Sequence, residues 1–86
     1  MLVNFVAELR GMRKGQEFTR KNGQKGFNCT VLVEFDARAY ELDAEEQVYK
    51  DFENKLIEKG QQVAFVAEYN PQFQWNKFKV KEAVAL

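Results

Sequence analysis

Histidine is absent from this chain of 86 residues, and cysteine, proline and tryptophan occur once each. The chain therefore lacks the side chain whose ordinary pKa suits proton transfer near neutral pH. It also lacks the clustered histidines and cysteines that zinc sites use, and it has no GxxxxGK[ST] or GxGxxG phosphate loop. We therefore expect a protein that is not an enzyme and that binds no metal, cofactor or small-molecule substrate. Catalysis by carboxylates alone stays an alternative, although six of the 13 acids fall in one predicted helix, where solvent exposure explains them better.

The single cysteine, Cys29, has no partner for an internal disulfide, which predicts a cytoplasmic location. The first nine residues have no basic leader, and Glu8 interrupts their apolar pattern, so we expect no signal peptide. No apolar run approaches the roughly 20 residues that span a bilayer. Length and composition predict a single globular domain over residues 1–86.

Charge is balanced overall but unevenly distributed along the chain. Residues 1–27 carry six bases and two acids, a net charge of +4, whereas residues 28–62 carry four bases and nine acids, a net charge of −5. Residues 63–86 carry three bases and two acids. This pattern predicts a basic face that attracts phosphates, opposite an acidic one; chance clustering on a solvated surface is the alternative.

Alternation of apolar and polar residues predicts five strands, at 2–10 (resuming at 17–19 after a bend), 27–35, 38–42, 62–69 and 75–84. Gly11 and Gly15 bracket the bend, where a bulge would let the first strand coil round a barrel. Asn22-Gly23 predicts a tight hairpin. The predicted core-facing residues of the second and last strands are Phe27, Cys29, Val31, Val33, Phe35, Phe78, Val80 and Val84.

A helix is predicted over residues 43–59, between the third and fourth strands. Asp43 is its expected N-terminal cap, with Glu46 at the capping-box spacing, and Gly60 is its expected end. Val48, Phe52 and Leu56 recur at four-residue steps and form the expected buried stripe. The whole chain is therefore predicted to be mainly β, in the order β-β-β-α-β-β.

The last strand combines aromatic and basic residues on one predicted face, namely Phe73, Trp75, Lys77, Lys79 and Lys81. The period of two along a strand spaces alternate side chains about 7 Å apart. Single-stranded nucleic acid needs rings for its bases to stack on and cations for its phosphates. The pattern therefore predicts a strand-binding surface; lysines that only keep an edge strand soluble are the alternative.

Basic residues in the first half of the chain extend this predicted site. The hairpin around Asn22-Gly23 carries Arg20, Lys21 and Lys25, and the preceding bend carries Arg13 and Lys14. The third strand adds Tyr40, a candidate stacking ring, in phase with Arg38; a core position is the alternative, because so short a strand does not fix its phase. Stacking surfaces accept DNA and RNA alike, so these residues do not distinguish the two.

The chain resembles the small OB-fold single-stranded DNA-binding proteins of phages and mobile elements. The resemblance rests on FTRKNGQKGF at 18–27, on the strand that follows to residue 35 and on KFKVKEAV at 77–84. It implies a five-stranded Greek-key barrel that binds single-stranded DNA in replication without base specificity. It places the DNA between the first hairpin, with Arg20, Lys21 and Lys25, and the loop before the last strand, with Phe73 and Trp75. It also implies a homodimer.

A protein-protein interaction module is the rival interpretation of the same barrel. In that case the aromatic loop at 70–75 would anchor a protein partner, since tryptophan and tyrosine are frequent anchors of interfaces.

Overall fold

Five strands and one helix follow one another in the predicted order. The computed structural model describes residues 1–72 and 77–86. The elements are β1 (Leu2–Thr19), β2 (Lys25–Phe35), β3 (Arg38–Ala44), α1 (Glu46–Glu53), β4 (Gln62–Tyr69) and β5 (Phe78–Ala85). Among the described residues, no helix is both long and apolar enough to cross a membrane.

The strands close into a barrel with the neighbour order β1-β2-β3-β5-β4. Neighbouring strands run antiparallel except at the closure, where β3 and β5 pair in parallel through Asp43 with Lys79 and Ala44 with Val80. A five-stranded Greek-key barrel with these connections is an OB fold. The predicted fold class is therefore confirmed.

β1 is one continuous strand of 18 residues rather than two strands separated by a bend. Residues 2–8 pair with β4, and residues 8–19 pair with β2. The register with β2 shifts between Leu9 and Gly11 and again between Lys14 and Glu17. These shifts are the bulges expected near Gly11 and Gly15, and they let one strand border two neighbours by increasing its local bend and twist.

The core lies inside the barrel and beneath the helix. Its buried members come from every element and are Ala7, Leu9, Cys29, Val31, Val33, Ala44, Val48, Ile57, Val63, Phe65, Ala67, Val80 and Ala83. The rings of Phe5 and Phe65 stack with their centroids 5.2 Å apart. The predicted inward phases of β1, β2 and β4 are thus confirmed along most of their length.

The helix is shorter than the predicted span of 43–59. Asp43 belongs to β3, where it pairs with Thr30 on one side and Lys79 on the other, so it does not cap the helix. Glu45 occupies the cap position without a side-chain cap bond, and Asn54 ends the helix. Pairing with β2 and with the closing strand β5 therefore prevails over the capping signal.

The residues after the helix form turns, which changes the expected buried stripe. Val48 is buried and Phe52 is partly buried, but Leu56 lies beyond the helix and is 64% exposed. Ile57 is buried in its place. Gly60 is not the helix end; it has φ +92° in a later turn and donates its N–H to the Leu9 carbonyl at 2.7 Å.

The inward phase of β5 reverses at Lys81. Ala67 pairs with Val80 and Val66 pairs with Glu82, so Lys81 is an extra residue in the ladder. Val80 and Ala83 are both buried as a result, and Val84, predicted to face the core, is 63% exposed. A bulge shifts every later side chain to the opposite face because the strand period is two.

The turn between β2 and β3 has the geometry of a type I′ hairpin. Both central residues have positive φ, +52° at Asp36 and +62° at Ala37. Alanine in this left-handed region costs roughly 1–2 kcal/mol because its Cβ approaches the following carbonyl oxygen. Glycine avoids that cost but loses more chain entropy on folding.

We therefore expect Ala37→Gly to raise the free energy of unfolding by about 0.5–1 kcal/mol, measured by urea denaturation. Ala39→Gly is the matched control, because Ala39 is exposed in β3, where glycine lowers stability. Equal effects of the two substitutions would contradict the strain at residue 37.

Candidate nucleic-acid interface

The strands that border the two predicted site loops have different positions along β3. The first hairpin loop (residues 20–24) extends past the Ala44 end, because Cys29 of β2 already pairs with Ala44. The last loop (residues 70–77) precedes Phe78, which is level with the middle of β3 through the parallel pairing of Asp43 with Lys79. Phe73 and Trp75, predicted to stack on bases, lie outside the described residues.

The first hairpin loop is held against the start of the helix. Its turn is closed by the Gly23 N–H donating to the Arg20 carbonyl at 2.9 Å, with Gly23 at φ +85°. The Arg20 guanidinium pairs with the Glu46 carboxylate, and the Phe27 N–H donates to the same carboxylate oxygen at 3.3 Å. The hydrogen bond from Arg20 lowers the pKa of Glu46. Arg20 is thus engaged within the protein rather than presented to solvent alone.

Most of the predicted phosphate-binding cations already have carboxylate partners. Arg13 lies 3.6 Å from Glu41 and Lys14 lies 3.2 Å from Glu17. Four of the nine cations named from the sequence make no ion pair with residues 1–72 or 77–86, namely Lys21, Lys25, Arg38 and Lys77.

The lysines of β5 share one acid at the start of the helix. Glu45 Oε1 accepts a hydrogen bond from Lys81 Nζ at 2.7 Å and lies 3.9 Å from Lys79 Nζ. Lys81 also lies 3.1 Å from Glu68. The hydrogen bond from Lys81 lowers the pKa of Glu45. The helix therefore starts among basic residues, which corrects the expectation that its acids and the basic strands lie on separate faces.

A cleft of about 280 Å³ is lined by residues at the base of the first hairpin and at the helix start, including the paired Arg20 and Glu46. Its charged lining consists of Asp43, Glu45, Glu46, Arg20 and Lys79. Burial raises the pKa of Asp43, and the carboxylates outnumber the cations. The cleft therefore has no surplus of positive charge with which to attract a phosphate group. Within residues 1–72 and 77–86, no group of three or more acidic, histidine or cysteine side chains is arranged to hold a metal ion.

The outer face of β2 and β3 is acidic and has no aromatic side chain. The paired positions on this face are Thr30 with Asp43, Leu32 with Glu41, and Glu34 with Ala39. Its acids engage Arg10 and Arg13 at 3.6 Å each. OB barrels commonly bind oligonucleotides across this pair of strands, but this face has neither rings nor surplus positive charge.

Three exposed rings gather at the end of the barrel opposite the helix, whereas the exposed ring of Phe18 lies beside Arg20 at the first hairpin. The three rings line a groove of about 260 Å³, here called the aromatic groove, formed by Val3, Phe5, Val33, Phe35, Tyr40, Leu42 and Phe78. Phe35, Tyr40 and Phe78 are exposed by 53%, 42% and 38%. The rings of Phe78 and Tyr69 lie 4.8 Å apart at the edge of β4 and β5. The barrel thus has an open apolar mouth.

Phe35 and Phe78, which are predicted to lie in the core, are both exposed, and this corrects the prediction. Each points inward along its strand, but each lies at the strand end where no helix covers the barrel. The alternating pattern gives a side chain's face and not its depth along the barrel axis. Tyr40, the one groove ring named as a candidate from the sequence, lies between them.

Cys29 is buried in the core, as predicted. Its thiol donates to the Ala44 carbonyl oxygen at 3.2 Å. Burial raises the pKa of this thiol to about 11, from the usual value of 9.0. Because the thiolate is the reactive form, the native protein holds this cysteine in its unreactive state.

We expect Cys29 to react with a disulfide reagent at pH 8 at least roughly 100-fold more slowly in the native protein than in urea, since the pKa difference alone gives that factor. Absorbance of the released thiol measures both rates. Equal rates would contradict the burial of this thiol.

No family model and no curated protein sequence matches the chain. Among solved structures, its fold is similar to that of the mitochondrial single-stranded DNA-binding protein Rim1 of S. cerevisiae, with a TM-score of 0.56 and 14% sequence identity. The similarity covers 100% of this chain and 95% of that chain. At this identity the likeness establishes a shared fold.

Proposed function

We propose that this protein binds single-stranded DNA without base specificity and has no catalytic activity. The likeness of the whole chain to the fold of a single-stranded DNA-binding protein supports this proposal. The observation that carries it is the position of the four cations without ion partners among the described residues. Lys21 lies in the first hairpin loop and Lys25 directly follows it, Lys77 ends the last loop, and Arg38 begins β3. OB barrels contact oligonucleotides through these two loops.

The paired cations set an expectation for affinity. Exposed ion pairs contribute about 0–1 kcal/mol each, so a phosphate can compete with a carboxylate for the same lysine or arginine. Each such exchange gains little net energy, because one ion pair replaces another. Affinity therefore depends mainly on the four cations without partners and on stacking, which predicts modest binding that weakens with salt.

Trp75, the single indole, provides the direct test. We expect its fluorescence to be quenched by an oligothymidine at low salt, with an affinity that falls as salt rises. Titration without any spectral or mobility change at low salt would refute strand binding and favour the protein-partner interpretation. A parallel titration with an oligouridine measures the preference for DNA over RNA.

The contribution of the first hairpin loop is tested by Lys21→Gln combined with Lys25→Gln. Removing two phosphate contacts is expected to reduce the slope of log affinity against log salt by about 1.4, at about 0.7 per contact on a single strand. Lys50→Gln combined with Lys55→Gln is the matched control, because these lysines also make no ion pair with residues 1–72 or 77–86, but Lys50 lies in the helix and Lys55 directly follows its end. An unchanged slope in the first variant would exclude the hairpin from the interface.

The homodimer, the role in phage or mobile-element replication and the cytoplasmic location stay predictions. For the homodimer we propose the outer face of β1, β4 and β5, where Val6 and Val84 both pair with Ala64 and remain exposed. Light scattering should then give twice the monomer mass, and Val84→Asp should return the monomer. A monomer in the unaltered protein would refute the prediction.

A further inference from the structure

We propose that the aromatic groove, and not the outer face of β2 and β3, is where bases of the bound strand stack. This inference rests on the proposed single-stranded DNA binding and assigns it a place on the barrel. The groove opens at the end of the barrel that α1 does not cover, and its three exposed rings belong to Phe35, Tyr40 and Phe78.

The chemistry of the groove matches unstacked bases. Its lining is apolar except for the Tyr40 hydroxyl, so it offers few hydrogen-bonding groups to distinguish one base from another. Every base has a π face, and stacking on aromatic side chains is therefore tolerant of sequence. The three partly exposed rings also form one contiguous apolar patch. Such patches indicate binding sites, whereas single apolar residues scattered over a surface do not.

Positive charge lies at the rim where a strand's phosphates would run. Arg38 pairs with Phe35 across the β2–β3 hairpin, and Lys77 directly precedes Phe78. Neither makes an ion pair with residues 1–72 or 77–86. Asp36 in the adjoining turn is the acid beside Arg38 in the chain. Rings within and cations at the rim are complementary to single-stranded DNA, whereas a purely apolar partner would gain nothing from the cations.

One residue of the groove, Phe78, directly follows the last loop. The Asn70 N–H donates to the Lys77 carbonyl oxygen at 2.7 Å, which joins the two ends of that loop next to Phe78. A strand that leaves the groove past Phe78 would therefore pass the closed base of this loop, at Asn70 and Lys77. The outer face of β2 and β3 would instead bring phosphates against Glu34, Glu41 and Asp43.

Photocrosslinking locates the bases directly. An oligothymidine that contains 5-iodouracil is irradiated in complex with the unaltered protein, and the crosslinked peptides are identified by mass spectrometry. We expect crosslinks at Phe35, Tyr40 or Phe78. Crosslinks confined to the outer face of β2 and β3 or to the first hairpin would overturn the assignment while leaving strand binding intact.

Truncation of the exposed rings measures their contribution. Tyr40→Ala and Phe35→Ala should each weaken oligothymidine binding by about fivefold or more, as expected for the loss of one stacked base. Leu56→Ala is the matched control, because Leu56 is an exposed apolar residue that follows the end of α1 and does not line the groove. Circular dichroism confirms the fold of each variant. Affinity equal to that of the control would overturn the proposal.

Charge variants at the rim test the same site without removing apolar surface. Asp36→Asn, which keeps a side chain that tolerates positive φ, should strengthen binding, and Arg38→Gln should weaken it. If the affinity is unchanged in both variants, the rim is not part of the interface.

Two further outcomes are distinguishable. If the groove holds a second copy of this chain, Tyr40→Ala changes the mass in light scattering and leaves affinity per site unchanged, which overturns the proposal. If the unaltered protein binds no oligothymidine, the proposed function itself fails, and this assignment fails with it.

Discussion

Closure of the barrel depends on the bending of one strand, because β1 must pair with both β4 and β2. Glu8 marks the change of partner, since it is level with Gln62 of β4 and with Glu34 of β2. The bulge at Gly11 follows directly, and a bulge bends its strand and increases the local twist. The first hairpin therefore projects beyond β3 and reaches the helix start. Without this bend, neither the hairpin's position nor the parallel contact of β3 with β5 would follow.

The number, order and type of the elements were predictable because alternation and four-residue spacing are local properties of the chain. The errors arise where contacts distant in sequence prevail. Asp43 carries a good capping signal, but its backbone joins β3 to β5 and so remains extended. Lys81 gives no sign of a bulge in its own neighbours, yet the register of β4 makes it the extra residue that exposes Val84. Both errors require knowledge of the partner strand.

The sequence predicts which residue types form the candidate site, but it does not predict which of its cations make ion pairs within the protein. Lys79 and Lys81 do lie on the outer face of β5 as alternation requires, but Glu45 approaches them from the helix start. Arg20 likewise meets Glu46, which is 26 residues away along the chain. The net charge of each sequence segment predicts that these acids lie on a surface separate from the cations. In the folded protein these acids neutralise part of the basic surface. A chain with no net charge therefore has few cations that can bind an external anion.

The exposed position of the groove rings follows from the fact that the chain has only one helix with which to cover the ends of its barrel. Five strands leave two open ends, and the single helix closes the end where Leu9, Ala44 and Val80 lie. Phe35 and Phe78 obey the inward phase, yet they end at the uncovered side and stay partly exposed. An inward-facing ring in the middle of a strand is buried in the core, whereas an inward-facing ring at the uncovered end of a strand stays exposed. The fold that leaves this end open therefore creates the aromatic groove from residues that the alternating pattern assigns to the core.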